Sequence, residues 1–122
     1  MAQISKRALN KILENQIFDI LSQVLADTNT KEQAHSLLDD FLTKTEKTTL
    51  AKRLAIAHYL ERGRSYENIK NTLKVSSATI STVQRMMHQK GFDLLLQKIN
   101  AEQWADKWTQ KILKPLNKFI KP

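Results

Sequence analysis

The chain predicts an all-α domain, and three observations carry that prediction. Only two glycines and two prolines interrupt its 122 residues. Apolar residues recur at every third or fourth position, not at every second one. Cap-like residues and short polar breaks divide these stretches into helices of ordinary length. With 41% hydrophobic and 26% charged residues, the chain is composed to fold around a core. One domain spanning 1–122 is the expected organisation.

The first helix is expected to open at Ser5 and to carry the stripe Leu9, Ile12, Leu13, Ile17, Ile20, Leu21, Val24 and Leu25 as far as the polar run DTNT. Thr30 with Gln33 resembles a capping box and starts a short second helix bearing Leu37, Leu38 and Phe41. Thr43 with Glu46 repeats the signature for a third, whose run Leu50, Leu54, Ala57, Tyr59 and Leu60 stops at Gly63. Ala51, Ala55 and Ile56 widen its apolar face, so this helix is expected to be covered on more than one side. That helix and the long first stripe together exceed what one small chain covers comfortably, which points to a homodimer.

The stretch SYENIKNTLKVSSATISTVQRM, residues 65–86, has a different character. Ser65 can cap a helix over 66–73, and Ser76 can cap another over 77–90, which Gly91 would end. Two or three residues between caps force the two helices to cross steeply, as in a helix-turn-helix over 65–90. Such a motif needs a small inner core, and Ile69, Leu73, Val75, Ile80 and Val83 supply it. Ser76, Ser77, Ala78, Ser81, Thr82 and Arg85 are then left on the outer face, with Lys70 and Lys74 beside them. Small polar side chains let a helix sit deep in a major groove about 12 Å wide. Ala78 can meet a thymine methyl, and Arg85 can pair with guanine or phosphate. The pattern departs at the turn, where Lys74 stands in the usual place of glycine.

Charge points the same way. The net charge is +8 and the sequence pI about 9.8. Residues 1–63 hold nine basic and eight acidic side chains, whereas 64–122 hold eleven and four. A one-sided basic field attracts polyanions, with double-stranded DNA the first candidate and an anionic membrane surface the second. A second class of function is a helical interaction module whose basic face docks on an acidic protein or membrane. A last helix pattern, about 93–120, aligns Trp104, Trp108, Ile112, Leu116 and Phe119 opposite Lys107, Lys111, Lys114 and Lys118, with Pro115 bending it. That stripe suits a core or dimer interface, a helix lying on a membrane, or an extended basic footprint along DNA.

Other chemistries find little support. There is no cysteine, so neither a disulfide frame nor a thiolate metal site is available. His35, His58 and His88 lack ligand spacing, and the vicinal Asp39–Asp40 reads as solvated. No glycine belongs to a phosphate-cradling loop, and no apolar run approaches the roughly 20 residues that cross a bilayer. A cytoplasmic protein with no metal, no cofactor and no catalytic role is expected.

The segment FLTKTEKTTLAKRLAIAHYLERGRSYENIKNTLKVSSATIS resembles the Trp repressor superfamily, particularly its small bacterial branch. The likeness rests on Leu42–Thr43 with Glu46, on Leu50 and Arg53, on Arg62–Gly63, and on Leu73 and Ala78–Thr79–Ile80, between about residues 41 and 85. It implies an intertwined all-helical homodimer with one helix-turn-helix per subunit, binding operator DNA. By position it implies base contacts for Ser77, Ala78 and Ser81 and a backbone contact for Lys70. The founding repressor holds tryptophan between two arginines. Arg53 aligns with the first and would be a vestige of that ligand site, but Thr82 aligns with the second, and Val83 takes the place of a glycine. The missing guanidinium removes a charge-assisted carboxylate contact. No tryptophan corepressor is therefore expected.

Overall fold

Asn10, rather than Ser5, opens the first helix observed. The computed structural model describes residues 8–102, and Ser5 lies outside them, as do Trp104 and the stripe that follows it. α1 runs Lys11–Asp27, and the Asn10 side chain accepts from the amides of Ile12 at 2.9 Å and Leu13 at 3.3 Å. Leu9 therefore precedes the helix instead of joining its stripe. α2 runs Lys31–Phe41, with Thr30 Oγ1 accepting from the Gln33 amide. The Gln33 side chain reaches back to the amide of Asn29, one residue beyond the cap.

α3, Lys44–Glu61, starts with a reciprocal box. The Thr43 amide donates to the Glu46 carboxylate at 2.8 Å, and the Glu46 amide donates to Thr43 Oγ1 at 3.1 Å. The Thr43 N–H, then its hydroxyl, hold the Glu46 carboxyl below its ordinary 4.5. Asp39 is less isolated than a solvated pair would be. It accepts from Lys47 Nζ at 2.8 Å and meets His35 Nδ1 at 3.0 Å, and the Lys47 contact leads in lowering its pKa.

α3 ends where a left-handed residue is needed. Gly63 has φ 79°, the Arg64 amide returns to the Tyr59 carbonyl, and the Gly63 amide returns to Leu60. That is a Schellman closure, and Arg64 then lies 4.0 Å over the Tyr59 ring. α4, Tyr66–Leu73, and α5, Ser77–Met86, follow.

α5 stops four residues before the expected 90, and Gly91 does not end it. The amide of Met87 bonds to Val83 and Gln84, that of His88 to Arg85, and that of Gln89 to Met86, so the last turn tightens and the chain turns away. A further helix, α6, covers 90–102, with Gly91 inside its first turn. The reason is tertiary: Phe92, Leu96 and Ile99 pack on the core, and a straight extension of α5 would carry them off it.

The chain divides within α3, between Leu50 and Ala51, into two compact units. In the first, neither α1 nor α2 has a fully buried residue. The second holds the core, built from Ile56, Ala57, Ile69, Ile80, Val83 and Leu96. Each isoleucine removed from water there contributes about 1.5–3 kcal/mol. Within one chain α3 buries Ile56 and Ala57 fully, while Leu50 and Leu54 stay 43% and 40% exposed. Among the described residues there is no strand, and no helix is long and apolar enough to cross a membrane.

Candidate nucleic-acid interface

α4 and α5 are set by their caps and by what lies between them. Ser65 Oγ accepts from the Asn68 amide at 3.1 Å, and Ser76 Oγ accepts from the Thr79 amide at 3.1 Å. Each hydroxyl satisfies one of the amides that a helix start leaves unpaired. Between them only Lys74, Val75 and Ser76 connect the helices. Lys74 takes φ 56° and ψ 55°, a conformation that L side chains rarely adopt. Its amide and that of Val75 both return to the Lys70 carbonyl, at 2.9 and 3.4 Å, closing α4.

The inner side of the pair is dry. Ile69 and Ile80 are fully buried and Val83 is 2% exposed, while Leu73 and Val75 are half-buried against them. α3 contributes Ile56 and Ala57 to the same cluster. Three fully or nearly buried β-branched side chains, each stiff at χ1, make this a firm seat for α5.

The outer side carries the polar residues. Ser76, Ser77, Ala78, Thr82 and Arg85 are exposed, Ser81 is half-buried, and on the α4 side Lys74 is exposed and Lys70 half-buried. No acid lies on α5, and Arg85 is its single cation. The Arg85 guanidinium folds back along the helix, donating to Ser81 Oγ at 3.1 Å and Thr82 Oγ1 at 3.3 Å. Thr82 in turn donates to the Ala78 carbonyl at 2.9 Å. Its hydroxyl proton is thus held within the helix, and the guanidinium has two neutral oxygens to exchange for an anionic or base acceptor. A low ridge of methyls and hydroxyls with one swinging cation can enter a major groove.

Two contacts had no warning in the spacing. The Tyr66 hydroxyl donates to Gln84 Oε1, tying the start of α4 to the last turn of α5. Lys52 Nζ donates to the Lys74 carbonyl at 3.2 Å, reaching from α3 to the turn. The partners stand 18 and 22 residues apart, so only the tertiary arrangement brings them together.

A pocket of about 460 Å³ beside α5 is lined by Leu60, Gln84, Arg85, Met87 and His88, with neither Arg53 nor Thr82 in its wall. Arg53 is half-buried on α3, and Val83 is packed into the core. Among the described residues no group of histidine and acidic side chains could hold a metal ion.

The profile of the Trp repressor protein family matches residues 16–101, well over half of the chain. The chain belongs to the Trp repressor family. The matched region takes in α1 to α5 almost entirely and most of α6, so the likeness extends well beyond the α3–α5 segment. A Bacillus subtilis (strain 168) relative called uncharacterized protein YerC is 37% identical over 57 residues, which is 47% of this chain. That match spans 55% of the relative's own length, so the chain covers about half of it. No solved structure matches the chain.

Proposed function

We propose that this Trp repressor family member is a transcriptional regulator that binds double-stranded DNA sequence-specifically, as a homodimer. α4 and α5 form its helix-turn-helix, and α5 is the reading helix. One observation carries the reading: the dry seat of Ile69, Ile80 and Val83 turns Ser77, Ala78, Thr82 and Arg85 outward on an acid-free helix. Ser76, Ser77, Ala78 and Ser81 face bases near the helix start, while Lys70 and Lys74 meet phosphates and fix the register. A two-fold dimer places two such helices about 34–36 Å apart, in successive major grooves of a pseudo-palindrome.

Binding of a duplex selected from a random pool, compared with random duplex across a salt series, tests this. Affinity is expected to fall by about 10³ or more between roughly 50 and 200 mM salt if six or more phosphates are neutralised. Arg85→Ala should cost about 1–3 kcal/mol and relax selectivity at one base pair. Equal loss on every sequence would make Arg85 a phosphate contact. Failure to bind any duplex at low salt would favour a module that docks on an acidic protein or membrane.

The same reading makes the protein independent of tryptophan. Thr82 offers a neutral hydroxyl, already engaged with Ala78 and Arg85, where the family places a second cation. Losing a hydrogen bond from a charged donor lowers affinity by one to two orders of magnitude. Calorimetric titration with tryptophan should give no heat of binding at micromolar concentration. Micromolar affinity, or DNA affinity rising tenfold with tryptophan, would overturn the assignment.

A further inference from the structure

The turn between α4 and α5 raises a physical problem: a lysine occupies a left-handed position that strains its backbone. Its closure leaves the Lys74 carbonyl pointing to where Lys52 Nζ donates at 3.2 Å. We infer that Lys52 is a positioning residue for the reading helix, resting on the DNA-binding reading above. Its stem leaves the core-facing side of α3, because Ile56, one helical turn further along on the same face, is fully buried. α3 therefore delivers the ammonium from a fixed base.

The electrostatics favour the contact. The carbonyls of Lys70 and Lys74 lie at the C-terminal end of α4, where the aligned peptide dipoles leave partial negative charge. The Lys52 ammonium there is attracted both to the carbonyl and to the helix end. Fixing that carbonyl fixes the peptide plane joining Lys74 to Val75. Val75 packs on the core and Ser76 caps α5, so the plane sets the direction in which α5 leaves the turn. Lys52 thereby holds the turn from outside, and Lys74 keeps its own ammonium for phosphate.

Two measurements on the full chain test this, using Lys52→Met and the conservative Lys52→Arg. In the free protein, amide hydrogen exchange at Val75 and Thr79 should quicken about fivefold to tenfold in Lys52→Met, with α2 amides unchanged. On DNA, the preference for the selected duplex over random duplex should drop by a similar factor, with the salt slope unchanged. Lys52→Arg should restore both. Unchanged exchange at Val75 and Thr79 overturns the proposal. So does a salt slope reduced by about one with the preference intact, which would make Lys52 a phosphate ligand. If the wild-type chain binds no duplex, the DNA reading falls, and the exchange measurement still decides the role of Lys52 at the turn.

Discussion

Lys74 sits at φ 56° and ψ 55°, where its Cβ crowds the neighbouring carbonyl at a cost of about 1–2 kcal/mol. Glycine would relieve that crowding but would bring about 0.5–1 kcal/mol of extra chain entropy to be lost on folding. The difference favours glycine, so Lys74→Gly should raise stability by up to about 1.5 kcal/mol, seen as a higher urea midpoint at unchanged m value. The same variant should bind DNA with a salt slope smaller by about one, having lost a phosphate contact. A lower midpoint would mean that Lys74 holds the turn through its own side chain. The positions that the apolar spacing marked as inner, Ile69, Ile80 and Val83, coincide with residues the structure buries, because the four- and three-residue steps of a helix leave little choice of face. The turn itself was harder to read. A missing glycine marked the turn as a departure, but the lysine that meets its carbonyl lies 22 residues away, and no local rule reaches that far.

The start of α3 is a case where element and sequence agree closely. Thr43 and Glu46 exchange hydrogen bonds in both directions, as their three-residue spacing implies. Thr43→Ala removes the hydroxyl that caps the helix and should cost about 1 kcal/mol, read from denaturant melts. Glu46 adds a pH dependence whose sign is fixed. The Thr43 amide, followed by its hydroxyl, holds the Glu46 carboxyl below 4.5 in the folded chain. Its contribution is therefore complete above the unfolded value and is lost as pH falls through the lowered folded value. By NMR, Glu46 should titrate below 4.5, and Thr43→Ala should move it upward. A Glu46 midpoint unaffected by that change would remove the hydroxyl as a cause and leave the Thr43 amide, which alanine keeps. Helix ends were less legible where packing decides them. Gly91 looked like a stop signal, yet the demand that Phe92, Leu96 and Ile99 reach the core breaks α5 at Met86 instead. At α1, Asn10 and Ser5 are both plausible caps by type, and composition alone does not rank them.

At the scale of the molecule, the largest mismatch is between the apolar content of α1 and its burial. Ile12, Leu13, Ile17, Phe18, Ile20, Val24 and Leu25 are all at least 40% exposed, and α1 has no buried residue. At about 100° per residue these side chains cover roughly two-thirds of the helix circumference. A helix this apolar, left in water, would be an uncommonly large exposed patch for a stable monomer. Nearly even charge in residues 1–63, nine basic against eight acidic, does not oppose self-association there, whereas the surplus of basic over acidic residues in 64–122 suits a polyanion. The two halves of the sequence thus suit different partners: a second copy of this chain, and DNA. Sedimentation equilibrium at micromolar concentration should therefore give about twice 14.1 kDa. Ile20 separates the two possibilities sharply, being 63% exposed in one chain. If the chain works alone, Ile20→Asp alters an exposed surface position and should change stability by no more than about 0.5 kcal/mol. If α1 is an interface, the same change places a carboxylate in an apolar contact. The dimer should then dissociate at micromolar concentration, the melting temperature should fall, and DNA affinity should drop with it. Asn15→Asp, a charge of the same sign at an exposed site on the polar side of the same helix, controls for net charge. A wild-type protein that sediments as a well-folded monomer, with Ile20→Asp as stable as Asn15→Asp, would remove the dimer and with it the paired reading helices.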